Sequence, residues 1–263
     1  MPELPDIEVF TRSLNSIFAG KKLEKIKIVK LKKLKNSQAE FIKALRGKTL
    51  KKVFRSGKEM RFEFSDGRLL GIHLMLTGDI FVLDEKNQYK STIAELYFSG
   101  WPGGKQKTMV LTDRMGNAHL DLDPIDKAGI DALSASLNFN YLKKALQRKT
   151  TIKKVLTDQD IIRGIGNSYS DEILWVTRIS PYSIAKAIPD EKIKDLLAAI
   201  KKILKQATAQ IYKKYKGKVN VEVKEFLKIH TKTTDKSPTG KPIIIDQKGM
   251  MKTYYTKEQV LYK

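Results

Sequence analysis

The chain has no cysteine, which excludes disulfides and every thiolate metal site. Its three histidines, His73, His119 and His230, are too scattered for metal-ligand spacing, so a zinc centre is not expected. No apolar run approaches the roughly 20 residues needed to span a membrane, and the acidic start is not a secretory signal. These absences are those expected of a soluble, cytoplasmic protein. Acidic charge is also scarce. The chain carries 29 acidic against 51 basic residues, a net charge of +22. A surplus of this size suggests a polyanionic partner. It is uneven as well, since Lys201–Lys263 holds 16 lysines against five acids. A membrane surface is the competing polyanion, but this segment lacks the broad apolar face of an interfacial helix. A generally basic proteome is the blander explanation. Nucleic acid is the favoured partner.

The 263 residues can bury a proper core. Pro5–Phe18 reads as an amphipathic helix with Val9, Leu14 and Phe18 on one face and Gly20 as its stop. Residues 22–122 read mainly as strands: Leu23–Val29, Thr49–Phe54, Met60–Phe64, Leu69–Leu76, Ile93–Phe98 and Thr108–Leu111. Short strands at this spacing suggest a two-sheet sandwich. After Asp123-Pro124 the pattern turns helical, most strongly over Asp190–Tyr215. From His230 two short β-rich runs, flanked by Ser237-Pro238-Thr239-Gly240 and Lys248-Gly249, read as a hairpin. The expected class is α+β, divided as 1–124, 125–229 and 230–263.

Chemistry enters at the start, Met1-Pro2-Glu3-Leu4-Pro5. A proline after the initiator methionine becomes a free secondary amine once that methionine is trimmed. Such an amine attacks an aldehyde-like sugar carbon and forms an iminium, as lysine forms a Schiff base. Glu3 supplies a carboxyl group beside it. The blander reading is that Pro2 and Pro5 only stiffen a terminus and open a helix.

The second informative segment runs from Leu156 to Leu174 and contains Asp158-Gln159 and Gly164-Ile165-Gly166-Asn167. The two glycines let the backbone turn tightly and approach a ligand closely. Asn167 opens a helix whose N-terminal amides can bind a phosphate. Alone, this is an ordinary interhelical turn with a good cap. Together, Pro-Glu-Leu-Pro and Asp-Gln…Gly-Ile-Gly-Asn-x-Tyr-x-x-Glu-Ile-Leu resemble the formamidopyrimidine-DNA glycosylase / endonuclease VIII family, along the whole chain and in the right order. The second motif looks like that family's helix–two-turn–helix.

The resemblance implies a role for each matching position. Pro2 would be the nucleophile, Glu3 the acid that assists sugar-ring opening, and Lys58 of Gly57-Lys58 a grip on phosphates beside the lesion. Gly166 and Asn167 would hold a phosphate. Leu76, in His73-Leu74-Met75-Leu76-Thr77-Gly78, would be a wedge in the duplex. Arg114 and Met115 of Asp113-Arg114-Met115-Gly116 would fill the gap left by a flipped base. No metal or organic cofactor is required.

Three places depart from the family pattern. The terminal hairpin of many members is held by four zinc-binding cysteines; the aligned residues here are Lys236, Thr239, Thr256 and Gln259. A zincless finger is therefore expected, held by β-pairing and by packing of Ile243, Ile245, Tyr254 and Tyr255. Met251 stands where an arginine is usual, leaving Lys252 to take a phosphate as a point charge. Asp113 stands where a first arginine is usual, and would repel phosphates unless paired.

The leading expectation is a bifunctional DNA glycosylase/AP lyase of base-excision repair. It would act as a monomer on duplex DNA with oxidised bases or abasic sites, leaning toward oxidised pyrimidines or hydantoins. The alternatives are a paralogue that binds damaged, abasic or branched DNA without cutting, and a general basic nucleic-acid-binding protein.

Overall fold

The computed structural model describes residues 1–30, 34–220, 222–231, 233–249 and 251–263. The chain clusters into two compact units. One comprises residues 1–2, 6–126 and 212–222; the other comprises 3–5, 127–211 and 223–263.

The first unit is built on two four-stranded antiparallel sheets. In chain order its elements are α1 (Leu4–Phe18), β1 (Lys22–Ile28), α2 (Gln38–Leu45), β2 (Leu50–Ser56), β3 (Glu59–Phe64), β4 (Leu69–His73), β5 (Gly78–Leu83), β6 (Thr92–Ser99), β7 (Lys107–Asp113) and β8 (His119–Leu122). One sheet runs β1-β6-β7-β5, the other β2-β3-β4-β8. Phe10, Leu14 and Phe18 of α1, Phe62 and Leu70 of one sheet, and Leu96 and Phe98 of the other share a single core. Each such side chain contributes roughly 1.5–3 kcal/mol when removed from water.

Three elements escaped the sequence reading. β5 and β8 are short and follow loops rather than clean alternations. Helix α2 sits in a stretch read as strands, yet its start is marked. Ser37 accepts from the Glu40 amide at 3.3 Å, and Glu40 returns the bond from the Ser37 amide at 2.7 Å. That reciprocal capping box is visible as Ser-x-x-Glu.

The second unit contains β9 (Ile130–Asp131), α3 (Phe139–Ala145), α4 (Ile152–Thr157), β10 (Ile162–Arg163), α5 (Asn167–Val176) and α6 (Asp190–Tyr215) up to Ile211, then the hairpin β11 (Ile244–Lys248) and β12 (Met251–Tyr255). Helix α6 buries Ile193, Leu196, Ile200, Leu204 and Ile211, the three-and-four spacing that its periodicity predicts. Leu4, Ile152, Leu156, Ile165, Leu174 and, from α6, Ile193, Leu196, Ile200 and Leu204 belong to the second core. In the hairpin, Tyr254 packs with Trp175, Ile229 and Ile243, and Tyr255 meets Tyr182 edge-on. Ile245 is 52% exposed, so the expected packing does not extend to it; the cluster closes around the Tyr254 ring without it. No helix among the described residues is long and apolar enough to cross a membrane.

Candidate active site

Pro2 is buried and Glu3 is only 4% exposed. The Glu3 carboxylate accepts from the amides of Gly166 (2.7 Å) and Tyr169 (3.2 Å) through Oε2 and of Ser168 (2.8 Å) through Oε1. These are N-terminal donors of α5 that have no partner within the helix, and the helix dipole favours an anion there. The Leu4 amide donates to the Gly164 carbonyl at 3.1 Å. Gln159 braces the turn from the other side, accepting from the Gly164 amide and donating to the Ile165 carbonyl at 2.9 and 2.8 Å.

Both glycines are demanded by this seat. Gly164 has φ +103°, and a Cβ on it would lie 2.5 Å from Leu4 Cδ1. A Cβ on Gly166 would lie 2.4 Å from the Glu3 carboxyl carbon. The Gly-Ile-Gly run is thus the platform on which Glu3-Leu4 rests. The amides read from sequence as a phosphate cradle are largely taken, because an internal carboxylate reaches them first.

Asn167 points elsewhere. Its Nδ2 donates to the Lys252 carbonyl at 2.8 Å, while its buried Oδ1 has no partner among the described residues. The Lys252 side chain itself is exposed on β12. Beneath the strand lies a network that the sequence reading missed. Lys153 Nζ contacts Asp171 Oδ1 at 2.6 Å and Thr253 Oγ1 at 2.9 Å. Asp171, fully buried, also accepts from the Tyr254 amide at 3.0 Å and pairs with His230 Nδ1 at 2.7 Å. The next residue, Glu172, accepts from the amides of Lys228, Ile229 and His230 at 2.8–3.0 Å. Burial pushes the Lys153 amine below its ordinary pKa, and the Asp171 charge pulls it back only in part. Two adjacent carboxylates in a lysine-rich chain were the available signal.

The four places aligned with zinc ligands do not fit a zinc ion. Thr239 and Thr256 donate to Glu258 at 2.8 and 3.1 Å, and Arg178 pairs with the same carboxylate at 2.9 Å. Gln259 accepts from the Thr256 amide and donates to the Ile179 carbonyl, both at 2.8 Å. Lys236 makes a β-bridge to Pro242. A hydrogen-bonded cluster occupies three of the positions, and none offers a thiolate or imidazole. With the finger held this way, Asp171→Ala is expected to loosen residues 228–230 and 253–255. Breaking a buried ion pair costs about 3 kcal/mol or more, so amide exchange there should quicken roughly a hundredfold, read by hydrogen-exchange mass spectrometry.

The remaining candidates lie in the first unit. Lys58 follows Gly57 in the tight β2–β3 turn, where Gly57 takes φ +59°. Its side chain is only 8% exposed and has interaction partners, unlike a freely solvated turn lysine. Leu76 and Met115 are 49% and 54% exposed at two loop tips, with Arg114 exposed beside Met115. Asp113 does not face outward. It is fully buried and accepts from the Thr77 hydroxyl and from the amides of Met115, Asn117 and Ala118 at 2.9, 2.5 and 2.7 Å. Burial opposes its charge, but these four donors hold its pKa below the usual carboxylate range.

Residues 1–117 match the formamidopyrimidine-DNA glycosylase N-terminal domain, and residues 128–216 match the H2TH domain of the same enzymes. The formamidopyrimidine-DNA glycosylase of Lactobacillus gasseri is 33% identical over 219 residues, covering 80% of this chain and 78% of its own. The chain belongs to the formamidopyrimidine-DNA glycosylase family. The enzyme of that name from Mycoplasma genitalium is 28% identical across 94% of this chain and 91% of its own. Among solved structures, a complex of Lactococcus lactis Fpg with abasic-site DNA superposes with TM-score 0.84 at 22% identity, covering 97% of both chains. A complex of MutM with DNA containing carbocyclic 8-oxo-G gives 0.85 at 23%, covering 97% of this chain and 98% of its own. At these identities the superpositions establish the fold. The chain thus has the α+β fold of these glycosylases, and at its terminal hairpin Thr239 and Thr256 bond to Glu258 while Gln259 bonds to the backbone.

Proposed function

We propose that this DNA glycosylase of base-excision repair is bifunctional, removing an oxidised base and then cutting the strand as an AP lyase through Pro2. The observation that carries the reading is the seat of Glu3. The residue bonded to Pro2 is locked by three amides onto the Gly-Ile-Gly-Asn turn, so the two motifs of the family act as one piece.

The Pro2 nitrogen, freed of Met1, attacks C1′ of the damaged nucleotide. The glycosidic bond breaks, its electron pair leaves with the base, and the nitrogen gives up its proton. Glu3 then protonates O4′, the C1′–O4′ bond breaks to open the sugar ring, and the nitrogen lone pair completes the iminium. Loss of a proton from C2′ then expels one phosphate, and a second elimination expels the other. A free α-amine has a reference pKa near 8, so roughly a tenth is neutral at pH 7 without any assistance. Lys58, Asn167 and Lys252 hold phosphates, while Leu76, Arg114 and Met115 occupy the space of the rotated nucleotide, since the target base must leave the stack. A monomer divided as 1–124, 125–229 and 230–263 and associated with damaged or abasic duplex DNA belongs to the same proposal. The altered gap-filling loop motivated the non-cutting alternative, and its Asp113 is buried and held by four hydrogen-bond donors.

Borohydride trapping on DNA with one abasic site tests the reading. The trimmed protein is expected to form a covalent adduct, and Pro2→Gly to form far less. Tight, salt-sensitive binding without any adduct would establish the non-cutting paralogue instead.

A further inference from the structure

Two loops are proposed above to occupy the opened duplex, one carrying Leu76 and the other Arg114 and Met115. The first connects β4 to β5 and the second β7 to β8, and their bases are laddered together: Gly78 of β5 lies opposite Asp113 of β7, and His73 of β4 opposite His119 of β8. To these backbone ladders one side chain adds a cross-link. Asp113 ends β7, is 0% exposed, and spends one oxygen on the Thr77 hydroxyl and the Met115 amide, the other on the Asn117 and Ala118 amides. No cation pairs with it among the described residues, so its charge rests on these four donors. In the other loop Met75 takes φ +55°, unusual for a side-chain-bearing residue. Its amide is held by His73 Nδ1 at 3.0 Å, and the Gly78 amide closes on the Leu74 carbonyl at 2.9 Å. Thr77 lies between these ties and makes the link outward.

We infer that Asp113 and Thr77 are positioning residues that lock the two loops into one probe, so that wedge and gap-fillers enter a duplex together. This rests on the glycosylase/lyase reading above. The bond matters only where a duplex must be held open, which costs a few kcal/mol that a single strand does not demand. Thr77→Val removes the hydroxyl at nearly constant volume, and Thr77→Ser keeps it.

The experiment measures cleavage of one abasic site in duplex and in single-stranded DNA by the trimmed full-length protein and both variants. Thr77→Val is expected to lower the duplex-to-single-strand rate ratio about tenfold or more, the scale of one lost hydrogen bond to a charged group. Thr77→Ser should restore it. Asp113→Asn, with the carboxylate charge gone and an acceptor replaced by a donor, should lower the ratio further. An unchanged ratio, or equal losses on both substrates, overturns the inference. A wild-type protein that cleaves neither substrate overturns the activity reading first, and this one with it.

Discussion

A protein that keeps Met1 is expected to yield no borohydride-trapped adduct, while trimmed protein from the same preparation traps efficiently. With Met1 attached, the Pro2 nitrogen is a tertiary amide whose lone pair is delocalised into the carbonyl. It can neither attack C1′ nor become an iminium. The free amine of Met1 does not substitute for it in position. In the untrimmed chain that ammonium is paired with Glu222 at 3.1 Å, one residue upstream of the buried proline. Covalent catalysis by the N-terminus should therefore fall to background, a loss of roughly a thousandfold or more on the scale of a removed nucleophile. DNA affinity should change little, because the DNA contacts proposed above involve lysines and loops and not the N-terminal amine. Mass spectrometry of the N-terminus, set against trapping yield fraction by fraction, checks this. Trapping by a fraction that is fully untrimmed would exclude Pro2 as the nucleophile.

Gly166→Ala is expected to cost about as much activity as Glu3→Gln, although it leaves every reacting group in the chain. The added methyl group would need the space of the Glu3 carboxyl carbon, 2.4 Å away. The carboxylate would then abandon its three amides or force the turn aside. Misplacing a catalytic group by about 1 Å can cost on the order of a hundredfold, and deleting a general acid typically costs about 10²–10⁴-fold. Stability should suffer too, by roughly 1.5–3 kcal/mol for each charged hydrogen bond lost without replacement. The informative comparison is the double variant. If Gly166→Ala acts by displacing Glu3, adding it to Glu3→Gln should cost little further activity. Additive losses would show that Gly166 acts apart from Glu3.

Much of this protein was legible before any coordinates. That the chain begins with a secondary amine at Pro2 once Met1 is removed is a fact of covalent order. The 3.6-residue period of Asp190–Tyr215 specified a helix to the residue, since local spacing alone decides which face can be buried. The absence of cysteine decided against a thiolate zinc finger, whatever the fold. Charge, too, is additive and pointed to a polyanion.

What tertiary structure alone decided are meetings between residues far apart in the chain. Glu3 takes amides 163 to 166 positions away, so amides read as a phosphate cradle became the mount of its carboxylate. Asp113, which looked like a misplaced charge at a DNA surface, is an internal tie, because folding turns it toward Thr77 and three amides rather than toward solvent. Asp171 and Glu172, given no role by the sequence, bond to residues 228–230 and to Tyr254. Sequence sets which groups exist and the local period in which they recur. A carboxylate's role depends on the donors within about 3 Å of it, and only the folded chain brings those donors there.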